Sequence, residues 1–344
     1  MNILQIEPAF SLSGGANQVV LNTKELIKRG HKVYLATLKD SYVYRQLGSY
    51  CEIIEIDEDN SLAAKTIRNF LQKEYIDIIH THHPKGHAVG LKSVSFIKKE
   101  KLVVQRGVIF TPQNFFKYLN PKIDAYVANA KAVERSLRKI FVSKKKIHVI
   151  YSAIDEESLE AVDKKTARDY LGLDGFVFGV IANYSSYKGH DLLLCAFALS
   201  KLEAKLALIG KDTHSLLDKC KKFGISDKVK TYGLVENAGR FMSAFDYLVV
   251  PSLKEALSNV IIEAFFRKIP VIGTSIGAIP ELLENNRGIL AQPTKEGLLK
   301  ALNKAYMSKD NSFVDNAYQF AINNLTIVKK IDKLEKLYER LISK

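Results

Sequence analysis

Apolar and polar positions follow two rhythms along this chain. Short β-branched, apolar runs recur, and most are separated by longer stretches whose apolar residues repeat at helical spacing. The runs predict strands at Asn2–Glu7, His31–Thr37, Glu52–Ile56, Asp77–Thr81, Leu102–Arg106, Ala125–Asn129 and His148–Tyr151. After the first strand, Ser13-Gly14-Gly15-Ala16 reads as a tight loop, with a helix to Arg29 that Gly30 caps. The polar stretch Asp155–Asp174 interrupts the rhythm and reads as a linker plus the first helix of a second domain. Strands resume at Phe176–Asn183, Leu206–Gly210, Val229–Gly233, Tyr247–Pro251 and Val271–Thr274, and a last helix is expected at about Ile327–Ile342. Alternation of this kind predicts an α/β protein built on parallel sheets with helices on both faces.

The stretch 249–283 carries the densest signal. A buried strand ends at Pro251, and Ser252-Leu253-Lys254-Glu255 makes a polar corner. An amphipathic helix then runs from Ser258 to about Lys268, with Val260, Ile261, Ala264 and Phe265 on its apolar side. Pro270–Thr274 is the next strand, and Gly277 and Pro280 mark a loop feeding a short helix. Glu255 lies in the corner before the long helix and Glu263 about one turn inside it. A helix N-terminus offers unpaired N–H groups to a phosphate, and an ionised carboxylate accepts hydrogen bonds from sugar hydroxyls. Taken alone, the two glutamates fit equally a loop carboxylate and a solvated helix residue near the positive dipole end.

The string as a whole resembles the donor-site signature of retaining glycosyltransferases of family 4. The matching residues are Pro251, Ser252, Glu255, Leu257, Ser258, Asn259, Val260, Glu263, Ala264, Pro270, Val271, Ile272, Thr274, Gly277, Pro280 and Glu281. Ala256 and Ala278 stand where glycines are common, and Phe265-Phe266 replaces a small pair. The N-terminal string GGANQVVLNTKELIKRGHKV is similar to the family's opening segment, with its paired glycines, and Tyr-Ser-Ala-Ile-Asp155 is close to the family's N-G-V-D. The resemblance implies the GT-B architecture, two Rossmann-like parallel-sheet domains facing across a cleft. The expected domains are an acceptor-side domain over 1–155, a donor domain over 156–322, and a terminal helix within 323–344 packing back across the junction.

What the resemblance implies for chemistry is transfer of a sugar from a nucleoside diphosphate, with UDP favoured, to a hydroxyl with retained configuration. It implies no metal and no cofactor, the nucleotide-sugar being a co-substrate. Lys188, in the loop Ile181–Gly189, matches the lysine that pairs with the donor diphosphate; the arginine usual beside it is absent, Asn183 and two serines standing in its neighbourhood. Lys188 and Glu255 are the catalytic candidates. Donor-binding candidates are Gly14, Gly15, Asn183, Lys188, Gly210, Gly233, Glu255, Ala256, Leu257, Ser258, Asn259 and Glu263. By pattern alone Gly14-Gly15 is a backbone loop approaching phosphate or acceptor, or a plain turn; Gly210 and Gly233 suit close backbone approach to a base or sugar. His80, His82, His83 and His87 crowd the fourth strand's end. A metal site needs three converging ligands, and a packed His80 with His82 or His83 facing the cleft is the preferred reading. Arg106 stands where relatives often carry a histidine, suiting an acceptor phosphate or carboxylate, or else a structural ion pair. His82, His83 and Arg106 are the acceptor-side candidates.

Composition narrows the class. The 344 residues suffice for two domains, and 47% hydrophobic with 26% charged residues is ordinary globular usage. No apolar run approaches a membrane span, and three separated cysteines, Cys51, Cys195 and Cys220, read as reduced, buried thiols of a cytoplasmic chain. The net charge of +14 is uneven: residues 92–146 hold 14 Lys and Arg against 3 Asp and Glu. Such a face suits an anionic membrane surface; a nucleic-acid partner is not expected, since no recognition module accompanies the charge. The expected role is a transferase of bacterial envelope polysaccharide or lipopolysaccharide synthesis, peripheral on the inner membrane face, with a glycan or lipid-linked acceptor. The alternatives are a nucleotide-sugar epimerase of the same architecture and an inactive carbohydrate-binding homologue.

Overall fold

The computed structural model describes residues 1–97, 99–109, 112, 114–308 and 312–343, so positions 98, 110, 111 and 113 of the basic stretch lie outside the described residues. The chain forms two units, Met1–Ile154 with Thr326–Lys344, and Asp155–Leu325.

In the first unit the strands are β1 (Asn2–Ile6), β2 (Lys32–Thr37), β3 (Glu52–Glu55), β4 (Ile78–Thr81), β5 (Lys101–Arg106), β6 (Ile123–Ala128) and β7 (Ile147–Val149). They form one sheet in the order β3-β2-β1-β4-β5-β6-β7. The second unit carries β8 (Phe176–Ile181), β9 (Ala204–Ile209), β10 (Val229–Gly233), β11 (Tyr247–Val250), β12 (Val271–Thr274) and β13 (Ile289–Ala291), in the order β10-β9-β8-β11-β12-β13. Every pairing in both sheets is parallel. Strand order reverses beside β1 in one sheet and beside β8 in the other, so each has a switch point where loops diverge at the carboxyl edge. This is the GT-B pair of Rossmann-like sheets.

Three departures from the sequence reading have simple causes. The turn at Ser13 is not a separate loop: Gly14 and Gly15 already belong to the helix Gly14–Lys28, because the Ser13 hydroxyl caps the Ala16 N–H at 3.1 Å. The strand β13 and the helices Lys295–Met307 and Ser312–Asn324 escaped notice, β13 because three residues are too few for a period. Cys220 is buried, but Cys51 and Cys195 are only half-buried.

The terminal helix Ile327–Ile342 belongs to the first unit. Ile327, Ile331, Leu334, Leu337 and Tyr338 fall on one face and join Ile3, Val33, Ile78 and Val103 in its core. Its start is fixed by the Thr326 hydroxyl on the Lys329 N–H and by Ile327 N–H donating to Ile154 O at 2.9 Å, where the chain leaves and re-enters the unit. Arg29 then clamps the helix through Asp332 and Glu335, at 2.8 and 2.6 Å.

Lys330 and Glu7 are both sealed in this unit. Lys330, 3% exposed, donates to Gln18 Oε1 at 2.8 Å, and burial pulls its pKa down to about 7. Glu7, 2% exposed at the end of β1, accepts the Ala9 N–H at 2.8 Å, and burial pushes its carboxyl up to about 7. Their pH windows are opposite in sign. From about pH 4.5 to 7 the unfolded chain has lost the Glu7 proton that the folded chain keeps, so this group's contribution falls as pH rises. From about pH 7 to 10.5 the unfolded chain holds the Lys330 proton that the folded chain has shed, so stability rises with pH. We expect Lys330→Met to stabilise the protein most below pH 7 and to flatten the alkaline rise, by up to ~1.4 kcal/mol per pH unit. Glu7→Gln should flatten the acid-side fall. Denaturant midpoints of both variants against pH check this; parallel curves for Lys330→Met and wild type would show that the lysine keeps its proton inside.

Candidate active site

The corner after β11 is where the second unit gathers its polar side chains. Pro251 and Ser252 are buried, and Leu253 N–H donates to Tyr187 O at 2.7 Å, tying the corner to the short turn Ser186–Lys188 after β8. Gly189 makes that junction possible. Its φ is +73°, and a Cβ there would stand 1.9 Å from Pro251 O, so no side chain fits. From the other side the Thr274 hydroxyl, at the end of β12, donates to Ser252 O at 2.5 Å, and Gly277 lies against the Glu255 carbonyl.

Held this way, Lys188 Nζ and Glu255 Oε2 meet at 2.7 Å, with side chains 27% and 14% exposed. The Ser252 hydroxyl approaches the same carboxylate oxygen at 3.4 Å. The two catalytic candidates, 67 positions apart in sequence, thus form one ion pair. Beyond them begins the helix Asn259–Phe266, capped by no side chain and with no acidic residue in its first turn. Leu257 and Ser258 are buried and Ala256 and Asn259 half-buried at its entrance, so its first amides stand without a local side-chain acceptor. Glu263 is half-buried on this helix and faces Arg267, whose Nη1 is 3.8 Å from its Oε2. Burial raises the Glu263 pKa and Arg267 opposes the rise.

The remaining second-unit candidates sit at strand ends but are engaged by the chain itself. Asn183 Oδ1 accepts the Lys211 N–H at 2.9 Å, clasping the loop after β8 to the one after β9. Close approach at Gly210 is to Ala182 O and at Gly233 to the His214 ring, 2.1 and 2.9 Å from where a Cβ would lie. Neither glycine has room for a side chain against its own neighbours.

In the first unit the four histidines diverge. His80 Nδ1 pairs with the Tyr338 hydroxyl at 2.6 Å, and His82 Nε2 with Gln5 Oε1 at 2.5 Å. His87 lies edge-on to Tyr118, centroids 4.8 Å apart, and His83 is exposed at φ +62°. Among the described residues no three His, Cys, Asp or Glu side chains are placed to hold a metal ion. Burial pushes His80 and His87 down to about 3 and His82 well below its usual value, so all three are neutral near pH 7. Of the three acceptor-side candidates, His82 and Arg106 are buried and His83 is open. Arg106 Nη1 donates to the Tyr118 hydroxyl at 2.5 Å, with the guanidinium 5.1 Å from that ring. Gly14 and Gly15 are exposed in the first turn of their helix, which contains no acidic residue.

Sequence reasoning passed over Glu7, Lys330 and Arg267. Lys330 was detectable, since it interrupts an apolar face at helical spacing; Glu7 and Arg267 leave no pattern, because only tertiary packing buries them.

The class follows from these two sheets and this corner. Residues 13–158 match the family model described as Glycosyltransferase Family 4, and residues 175–308 the model described as Glycosyl transferases group 1. The chain belongs to this glycosyltransferase family. A Campylobacter jejuni relative, N-acetylgalactosamine-N,N'-diacetylbacillosaminyl-diphospho-undecaprenol 4-alpha-N-acetylgalactosaminyltransferase, is 25% identical over 86% of this chain and 90% of its own. N-acetyl-alpha-D-glucosaminyl L-malate synthase of Bacillus anthracis is 23% identical over 76% of each. In fold, the chain is similar to Anabaena Alr3699/HepE in complex with UDP, with a TM-score of 0.88, 21% identity and coverage of 99% and 100%. A Rickettsia africae glycosyltransferase gives 0.87 at 20% identity, covering 99% and 98%.

The corner geometry makes a contrast between two glycines. Gly175 also has positive φ, +64°, but a Cβ there would meet nothing within 4 Å. Gly175→Ala should cost only the left-handed penalty, about 1–2 kcal/mol. Gly189→Ala adds the clash with Pro251 and should destabilise the second unit considerably more while displacing Lys188. Equal losses in chemical denaturation would show that the two loops are not locked together.

Proposed function

We propose that this chain is a retaining, metal-independent glycosyltransferase that moves a sugar from a nucleoside diphosphate donor, UDP-sugar favoured, to a glycan or lipid-linked acceptor of envelope polysaccharide or lipopolysaccharide assembly. The observation that carries the reading is the Lys188–Glu255 pair at 2.7 Å before an uncapped helix start. An ammonium, free amides and a carboxylate in one corner suit a diphosphate beside a sugar. The diphosphate takes Lys188 and the amides near Leu257 and Ser258; Glu255, released from the lysine, accepts sugar hydroxyls; Glu263 accepts the ribose hydroxyls. Gly14 and Gly15 contribute backbone to the donor, Asn183, Gly210 and Gly233 shape the floor, and Ala256 and Asn259 flank the phosphates. The bond from the anomeric carbon to the β-phosphate oxygen breaks with its electrons going to that oxygen. The acceptor oxygen bonds to the same face of the sugar, and its proton passes to the departing phosphate. Lys188 acts on charge that grows in this step. His82, His83 and Arg106 mark the acceptor side, His83 being the accessible group.

The relatives support the acceptor class. The Campylobacter protein's name specifies a diphospho-undecaprenol glycan. The Anabaena protein was also solved with UDP-glucose, and another neighbour, at a TM-score of 0.76, is a lipopolysaccharide outer core galactosyltransferase. Attachment to an inner membrane face rests on the helix Lys131–Lys139, where Lys131, Arg135, Arg138 and Lys139 are all exposed, followed by Phe141, 81% exposed, and the lysine turn Lys144–Lys146. Each basic residue near an anionic leaflet contributes about 1 kcal/mol. Among the described residues no helix is long and apolar enough to cross a membrane.

Two experiments test this. Lys188→Ala should lower kcat by two orders of magnitude or so, about 2.7 kcal/mol, with a smaller rise in donor KM. Unchanged kcat at saturation would make the lysine a ground-state contact, and inhibition by EDTA would refute metal independence. Release of an altered nucleotide-sugar from donor alone would identify an epimerase instead. Separately, the protein should sediment with anionic vesicles at low salt and dissociate at high salt, and Arg135→Glu with Arg138→Glu should abolish this. Equal binding to neutral vesicles would remove the electrostatic account.

A further inference from the structure

Arg267 sits directly after the helix that carries Glu263, and its side chain is only 8% exposed. Its backbone N–H donates to Glu263 O at 3.1 Å, so the two residues are joined through main chain and side chain at once. One guanidinium nitrogen, Nη2, donates to Glu160 O at 3.0 Å. Among the described residues Nη1 and Nε have no hydrogen-bond partner, although Nη1 lies 3.8 Å from Glu263 Oε2. A buried guanidinium with so few acceptors is costly, and a carboxylate one turn away is the group that repays its desolvation. The opposite wall is Gly239. A Cβ there would lie 2.4 Å from Glu263 Oε2 and 3.5 Å from Arg267 Nη2, so the carboxylate occupies space that an alanine would fill.

We propose that Arg267 is a positioning residue for the donor: with Gly239 it fixes the Glu263 carboxylate in place and keeps it ionised to receive the nucleotide's ribose hydroxyls. The inference rests on the reading of Glu263 as the ribose-binding group. A carboxylic acid that keeps its proton offers one oxygen fewer to two vicinal hydroxyls, so the charge state decides the contact. Burial acts on Glu263 toward the protonated form, and the nearby cation acts against it. Of the other charged groups nearby, Arg240 lies 3.8 Å from the Glu160 carboxylate and over the Phe241 ring, Lys268 pairs with Asp315 at 3.2 Å and covers the Tyr318 ring, and Glu156 lines the same cavity as Arg240 and Arg267. Arg267 thus acts through Glu263 and touches no substrate.

The sign of the pH effect follows. Removing Arg267 leaves the burial effect unopposed, so the Glu263 pKa rises further; the bound nucleotide requires the ionised form, so the variant loses affinity as pH falls. The test is calorimetric titration at pH 6, 7 and 8 with whichever of UDP, GDP and ADP the wild-type protein binds. The variants are Arg267→Met, Arg267→Lys, Gly239→Ala and Glu263→Gln. Dividing each variant's Kd by the wild-type Kd at the same pH cancels the ligand's own titration. For Arg267→Met we expect a loss that is smallest at pH 8 and grows as pH falls, by up to ~tenfold per pH unit below the raised pKa. Arg267→Lys should restore most of the flat profile, because the charge and not the fork is what matters. Glu263→Gln should be weak and flat across pH, and Gly239→Ala weak by displacement of the carboxylate. A pH-independent loss for Arg267→Met, or no rescue by lysine, overturns the positioning role and makes Arg267 a structural tie to Glu160. Full affinity in Glu263→Gln, or no nucleotide bound by the wild type, overturns the ribose reading beneath it.

Discussion

The second unit's candidate site depends on one constraint: three segments converge on the corner at Pro251–Glu255, with no room for a Cβ at Gly189 or Gly277. The turn after β8 reaches it through Gly189, the segment after β12 through Thr274 and Gly277, and β11 supplies the corner itself. Parallel strands bring these segments to the same edge because each leaves its strand in the same direction. Contact between backbones, more than any side chain, is therefore what sets the distance between Lys188 and Glu255. A site built on such contacts changes little with surface substitution, and it gives the loops between the contact points freedom to differ.

Much of this was readable in the chain. The alternation of runs gave two parallel sheets, and the terminal helix fell on Ile327–Ile342 because its apolar residues keep helical spacing. Legibility failed in two physical situations. Very short elements such as β13 contain too few residues to show a period. Buried polar groups show no local sign of what they pack against: nothing in the sequence joins Arg106 and His87 to Tyr118, His80 to Tyr338, or His82 to Gln5. Gly210 and Gly233 belong to the same class, since a glycine's reason is whatever lies beside it in space.

Sealed ionisable groups set a second theme. Burial moves the pKa of both Glu7 and Lys330 to about 7, with no opposite charge paired to either among the described residues, so each holds its neutral form over part of the ordinary pH range. Neutralisation is the cheaper response to burial when no counter-charge is at hand. Glu263 is placed differently: its cation is on the next turn, 3.8 Å away, and opposes the rise in pKa that burial imposes. A group required only to pack can give up its charge; on the proposed reading Glu263 has two hydroxyls to accept and needs to keep it.

On the proposed reading, the Lys188–Glu255 pair is the resting form of a site built to be split. Each side chain pairs with the other at 2.7 Å, so neither is left unpaired in a partly buried corner. A nucleotide-sugar offers both partners at once, phosphate for the lysine and hydroxyls for the glutamate, so the ion pair is exchanged and not simply lost. A nucleotide without the sugar offers only the first exchange and leaves Glu255 to find another donor, with the Ser252 hydroxyl 3.4 Å away. The ammonium's pull on the leaving oxygen is then freest when the sugar hydroxyls hold the carboxylate away from it. Sugar recognition and leaving-group stabilisation are in this way coupled through one short contact, which makes the sugar's own hydroxyls part of what turns Lys188 toward the phosphate.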